Sequence, residues 1–152
     1  MIILEKDKIK LNKFTKINSE KITINDINSN TIINIEDWIK LKNDLEIKNI
    51  SFGIEFFSDD NFNLLLESLK KLCLIQINFK TFKDGRPFTF VKKLRKEYLF
   101  SKEIRATGHI LPDQYVFLLR SGFDTVEINK KDKDIWIEMY KLDNTNLYYQ
   151  PF

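Results

Sequence analysis

The sequence predicts an α/β fold: a single domain of about four consecutive βα units on a parallel sheet, half-barrel-like or open. Three observations predict it. Short apolar, β-branched runs alternate with helix-period segments from Lys48 onward, the connections between them are short, and 152 residues fit one self-sufficient core. Without an internal repeat or linker, the whole of 1–152 reads as one domain. It divides into an irregular N-terminal wrap with one helix (1–47), core βα repeats (48–128), and a C-terminal helix and tail (129–152).

In chain order, Ile17, Ile22, Ile24 and Ile27 alternate loosely with polar residues, a pattern that fits short edge strands or an irregular wrap. Ile35 to Lys42 reads as a helix, with acids early and lysines late as the helix dipole favours. Ile50 to Phe56 is a strand; Ser58-Asp59-Asp60 offers an N-cap, and Leu64, Leu65, Leu69 and Leu72 follow at helical spacing. Leu74 to Phe79 is the second strand. Pro87 suits a helix's first turn, with Phe90, Val91, Leu94 and Tyr98 on one face. Ile104 to His109 is a strand running into a loop. Pro112 opens a short, largely apolar and therefore buried helix that Gly122 ends, and Phe123 to Ile128 is the fourth strand. Ile135 to Tyr140 suggests a last helix, and Tyr148 to Phe152 an extended tail.

Composition narrows the function classes. A net charge of +3, with lysines interleaved among twenty-two acids, gives no concentrated basic face, so nucleic acid is not an expected partner. No apolar run approaches a bilayer span and the N-terminus carries no leader pattern, so the expectation is a cytoplasmic protein without a membrane partner. The single Cys73 lies in an apolar run and reads as a small buried hydrophobe. No metal or cofactor is expected, because clustered ligands, a P-loop, a dinucleotide fingerprint, CxxC, Gly-x-Ser-x-Gly and His-Glu-x-x-His are all missing.

The distribution of arginine locates the candidate site. Against twenty-one lysines stand four arginines, Arg86, Arg95, Arg105 and Arg120, all between Asp84 and Asp124, together with Gly85, Gly108, Gly122 and the only histidine, His109. A chain that writes Lys wherever a cation suffices keeps Arg where a planar fork is needed. Asp84-Gly85-Arg86 opens a helix after the second strand, and Gly108-His109 with Asp113-Gln114 forms the equivalent loop after the third. In a parallel sheet both land on the C-terminal rim, where ligands bind. Asp84, Gly85, Arg86, Gly108, His109, Asp113 and Gln114 are therefore the candidate anion-binding residues. Equally, Asp84 could cap the helix with Arg86 paired locally, and no residue is assigned a catalytic role. Arg95, Arg105, Arg120, Gly122 and Asp124 are assigned to holding the fold; Arg105, inside a strand of a sheet covered on both faces, needs an acid, with Asp124, Glu127 or Asp84 as candidates.

The spacing Phe79-x-x-Phe-x-Asp-Gly-Arg86 with Leu94-Arg95, Arg105-Ala-x-Gly108, Asp113-Gln114 and Arg120-x-Gly-Phe-Asp124 resembles the bacterial DUF934 family, from Lys48 to about Ile128 and faintly at Glu36-Asp37-Trp38 and Tyr149-Gln150. The resemblance implies a place beside assimilatory sulfite-reduction genes, where members carry the label "probable oxidoreductase involved in sulfite reduction". Two positions depart from the family pattern: Ser121 stands where members often have Cys, and Pro112 where they often have Arg. The expected function is an accessory protein of sulfite or sulfate assimilation that binds a small anion or anionic metabolite on the rim. The alternatives are a non-catalytic adaptor for sulfite-reductase proteins and an oxidoreductase using the same rim. A homo-oligomer is compatible with either.

Overall fold

The computed structural model describes residues 1–17 and 20–145. Eight strands form one sheet in the order β2-β1-β8-β7-β6-β5-β4-β3, curled like half a barrel. They are β1 Ile2–Glu5, β2 Lys8–Lys10, β3 Thr15–Lys16, β4 Thr31–Asn34, β5 Phe52–Phe57, β6 Leu72–Phe79, β7 Glu103–Gly108 and β8 Thr125–Ile128. From β3 to β8 every pairing is parallel, whereas β1 is antiparallel to both β8 and β2. The helices are α1 Ile35–Lys48, α2 Phe62–Ser68, α3 Arg86–Lys96, α4 Tyr115–Ser121 and α5 Lys133–Thr145.

The N-terminal residues, open in sequence between edge strands and a wrap, supply strands to both edges of the sheet. β4 followed directly by α1 makes a βα unit ahead of the four legible ones. Asn34 caps α1 by accepting the Asp37 N–H at 2.8 Å. The cap of α2 differs from the expected one. Asn61 takes the Asn63 N–H, while Asp60 folds back to accept the Phe57 N–H and Ser58 turns to Asp84. Pro112–Gln114 forms a 3-10 turn ahead of α4, and Gly122 ends α4 at φ +120°. The apolar helix α4 is buried at Tyr115 and Leu118 but presents Phe117 half exposed. The tail from Tyr148 lies outside the described residues.

The two faces of the sheet have opposite chemistry, set by strand alternation. One face carries Leu4, Ile33, Ile54, Phe56, Ile75, Ile77, Ile104, Ala106, Val126 and Ile128, in one core cluster with Trp38, Leu41, Leu65, Val91, Leu94, Leu118 and Trp136 of the five helices. The other, concave face carries Glu55, Gln76, Asn78, Arg105, Thr107, Thr125 and Glu127, with Asn12 and Phe14 reaching over it. Helices therefore cover one face only, which corrects the expectation of a sheet covered on both. Right-handed crossovers put every helix on the same side, and the N-terminal segment closes the other in part.

Candidate functional site

The two loops singled out in the sequence do meet. The His109 N–H donates to the Phe79 carbonyl at 2.8 Å, its Nδ1 lies 3.3 Å from the same oxygen, and its ring packs edge-on to Phe82. Gln114 accepts the Leu111 N–H and donates to the Phe82 carbonyl at 3.3 Å. The Asp84 carboxylate accepts the Arg86 backbone N–H, Nε at 3.0 Å and an Nη at 3.1 Å, and also the Ser58 hydroxyl. That fork from Arg86, with the Ser58 bond, draws the Asp84 carboxyl down to about 2. Gly85 and Asp113 are exposed, Gly85 at an ordinary negative φ. The helix opening is thus a self-contained turn, with the Arg86 fork on Asp84.

Arg95 makes four hydrogen bonds that join α3 to the loop before β7 and the turn after α4: Nε donates to the Gly122 carbonyl, Nη1 to those of Phe100 and Lys102, and Nη2 to Asp124 at 2.6 Å. Asp124 also accepts the Ile104 N–H, joining the turn after α4 to β7. Arg120 donates to Asp143 at 2.7 Å, tying α4 to α5.

Arg105 is 1% exposed on the concave face. Its partner is none of Asp124, Glu127 and Asp84 but Glu103, two residues earlier on the same strand and therefore on the same face. Nε and Nη2 donate to Glu103 at 3.2 and 3.0 Å, Nη1 to Asn12 at 3.2 Å, and the guanidinium lies over Phe14. Glu103 also accepts from Lys10 at 2.8 Å and Thr125 at 2.9 Å. Burial alone would raise its carboxyl, but Lys10, Arg105 and Thr125 together hold it below the usual range. Across the face Gln76 donates to Glu55 at 3.0 Å, and Glu55 pairs with Lys16.

Over this floor lies a cavity of about 420 Å³, lined by Asn12, Phe14, Lys16, Glu55, Gln76, Asn78, Arg105, Thr107, Gly108 and Glu127 among others. Its size is that of small-molecule sites. It reaches the C-terminal ends of β6 and β7, and of the seven candidate anion-binding residues Gly108 alone lines it, beside Arg105 from the residues assigned to holding the fold. Gly108, at φ +86°, is required there: a Cβ would fall 2.4 Å from Asn78 Oδ1 and 2.5 Å from the Phe79 carbonyl. The buried Thr107 hydroxyl has no hydrogen-bond partner among the described residues. Sequence reasoning missed Glu55, Gln76, Asn78, Thr107 and Glu127; the available signal was a polar residue at every second position in strands whose other positions are aliphatic.

No group of three or more His, Cys, Asp and Glu among the described residues could hold a metal ion. No helix among them is long and apolar enough to cross a membrane.

The family model of DUF934, a bacterial protein of unknown function, matches residues 53–152. No curated protein and no solved structure matches the chain. Covering well over half of the sequence, the match shows that the chain belongs to the DUF934 family.

Proposed function

We propose that this DUF934 member is a cytoplasmic accessory protein of assimilatory sulfite or sulfate reduction. It binds a small anion or anionic metabolite on the concave face, towards the C-terminal ends of the parallel strands. The observation that carries this reading is the cavity itself, a concave polar site with two cationic side chains, Lys16 and Arg105, on its wall. Arg105 is 1% exposed and bonded to Glu103 and Asn12, so it builds the floor of the cavity with its charge balanced by Glu103. Lys16 is 38% exposed at its side chain and can turn from Glu55 to an incoming anion. The link to sulfur assimilation rests on the family's gene setting.

An oxidoreductase role has less support. Burial pushes the Cys73 thiol up, away from the thiolate that redox chemistry uses, and the thiol donates to the Ser29 carbonyl at 3.5 Å. The purified chain is expected to show no NADPH oxidation by itself.

Thermal shift tests the binding reading, because a ligand of the folded state raises stability by mass action. Sulfite, sulfate, phosphate and adenylyl sulfate are titrated into the wild type, Lys16→Gln and Arg86→Lys. At least one anion should raise the melting temperature of the wild type and of Arg86→Lys, and raise that of Lys16→Gln much less. A shift retained in Lys16→Gln and lost in Arg86→Lys would move the anion to the rim loops. No shift with any anion would leave the adaptor role as the better reading.

A further inference from the structure

We infer that Asn78, Thr107 and Glu127 form a subsite for a hydrogen-bond-donating amino group, so that the ligand of the concave face is a small zwitterion of the amino-acid or aminosulfonate class. This rests on the anion-binding reading above and specifies it.

The argument begins with register. Asn78 pairs with Thr107 across β6 and β7. The β7–β8 register, Arg105 with Thr125 and Ala106 with Val126, carried one residue further puts Glu127 beside Thr107. Three polar side chains thus stand in a row on three adjacent strands, on the concave face and lining one cavity. The row one pleat below is engaged within the protein: Gln76 donates to Glu55, and Arg105 and Thr125 both donate to Glu103. The upper row is not. Thr107 is 2% exposed, and its hydroxyl reaches no partner. Buried hydroxyls are almost always bonded, so an orphan on a residue that lines a cavity calls for a partner, and a bound molecule can supply one. The side chains of Asn78 and Glu127 likewise make no hydrogen bond among the described residues.

Chemistry sets the ligand class. Glu127 can only accept, whereas Asn78 and Thr107 can accept and donate. A group that satisfies all three must donate, and beside a carboxylate a positive charge is favoured. Elsewhere on the wall stand the cations Lys16 and Arg105. Two cationic and two anionic side chains, Lys16 and Arg105 with Glu55 and Glu127, line the cavity. A bare dianion would leave Glu127 facing a like charge, while a zwitterion places one end against each sign.

Calorimetry on the full chain with matched pairs tests this: 2-aminoethanesulfonate against ethanesulfonate, and β-alanine against propionate. In the wild type the amine-bearing member of at least one pair should bind about tenfold tighter or better. Glu127→Gln should bring that ratio close to one without lowering the melting temperature, since Glu127 is only half-buried. Equal affinity within each pair, with binding lost in Lys16→Gln, would overturn the amino-group subsite and leave the anion reading standing. A ratio unchanged in Glu127→Gln would also overturn it. If none of the four compounds binds, the zwitterion inference falls, and the anion reading is decided separately by the sulfite, sulfate, phosphate and adenylyl sulfate titrations.

Discussion

The rim loops around Arg86 and the concave row just below them are both polar and both lie at the same end of the parallel strands, yet their side chains are in opposite states. In the loop opening α3, the arginine fork, the carboxylate and the Ser58 hydroxyl are bonded to one another. In the row Asn78, Thr107 and Glu127, whose residues line a cavity, the buried Thr107 hydroxyl has no partner among the described residues. On the proposed reading, the concentration of arginine and glycine marks forks and turns of the fold, and the proposed ligand site is marked by polar atoms that the fold leaves open.

The comparison breaks first at Arg105, which underlies the concave row. Arg105→Ala should destabilise the protein by about 3–5 kcal/mol in denaturant titration, since it leaves the Glu103 carboxylate inside with one fewer cation. A variant that melts like the wild type would mean the floor is not the scaffold of the site. Next comes a contrast of two glycines. Gly108→Ala forces a Cβ against Asn78 and Phe79 at positive φ and should cost about 1–3 kcal/mol. Gly85→Ala, with open space at its Cβ, should be neutral or stabilise by up to about 1 kcal/mol. Equal effects would erase the difference between a site glycine and a turn glycine.

The Asp84 pair gives a smaller effect, with a sign. Its carboxyl is lowered in the folded state, from an ordinary value near 3.8 to about 2, so it stabilises the fold above pH 4. That contribution fades as the pH falls from about 4 towards 2. Asp84→Asn should flatten this limb of the stability–pH curve, and an unchanged limb would show that the turn is not held by its charge. Arg86 is 60% exposed at its side chain, so Arg86→Lys should scarcely change the melting temperature. Smallest in stability is Thr107→Val, which removes an unpartnered hydroxyl at nearly constant shape; the melting temperature should stay level or rise slightly while affinity falls.

Much of the fold was legible because periodicity reports burial directly. Four βα units, the Pro87 and Pro112 helix starts and the Gly122 stop all follow from local rules. The N-terminal strands were not, since β2 and β3 span only three and two residues, too short to show a period. The pairing of Arg105 was obscured for a related reason. Glu103 is its partner because alternate strand residues share a face, which becomes decisive only once one face is known to lack helices. The proposed site was hidden in the same way. Asn78, Thr107 and Glu127 carry no motif and come together only through the register of three strands.

The most direct test of the account is a nitrogen-15 NMR titration with 2-aminoethanesulfonate, read at assigned amide and side-chain resonances. The account predicts saturable shifts concentrated at Asn78, Thr107, Gly108 and Glu127, with Gly85 and Arg86 unmoved. Shifts centred on Asp84 to Arg86, with the concave row silent, would contradict it.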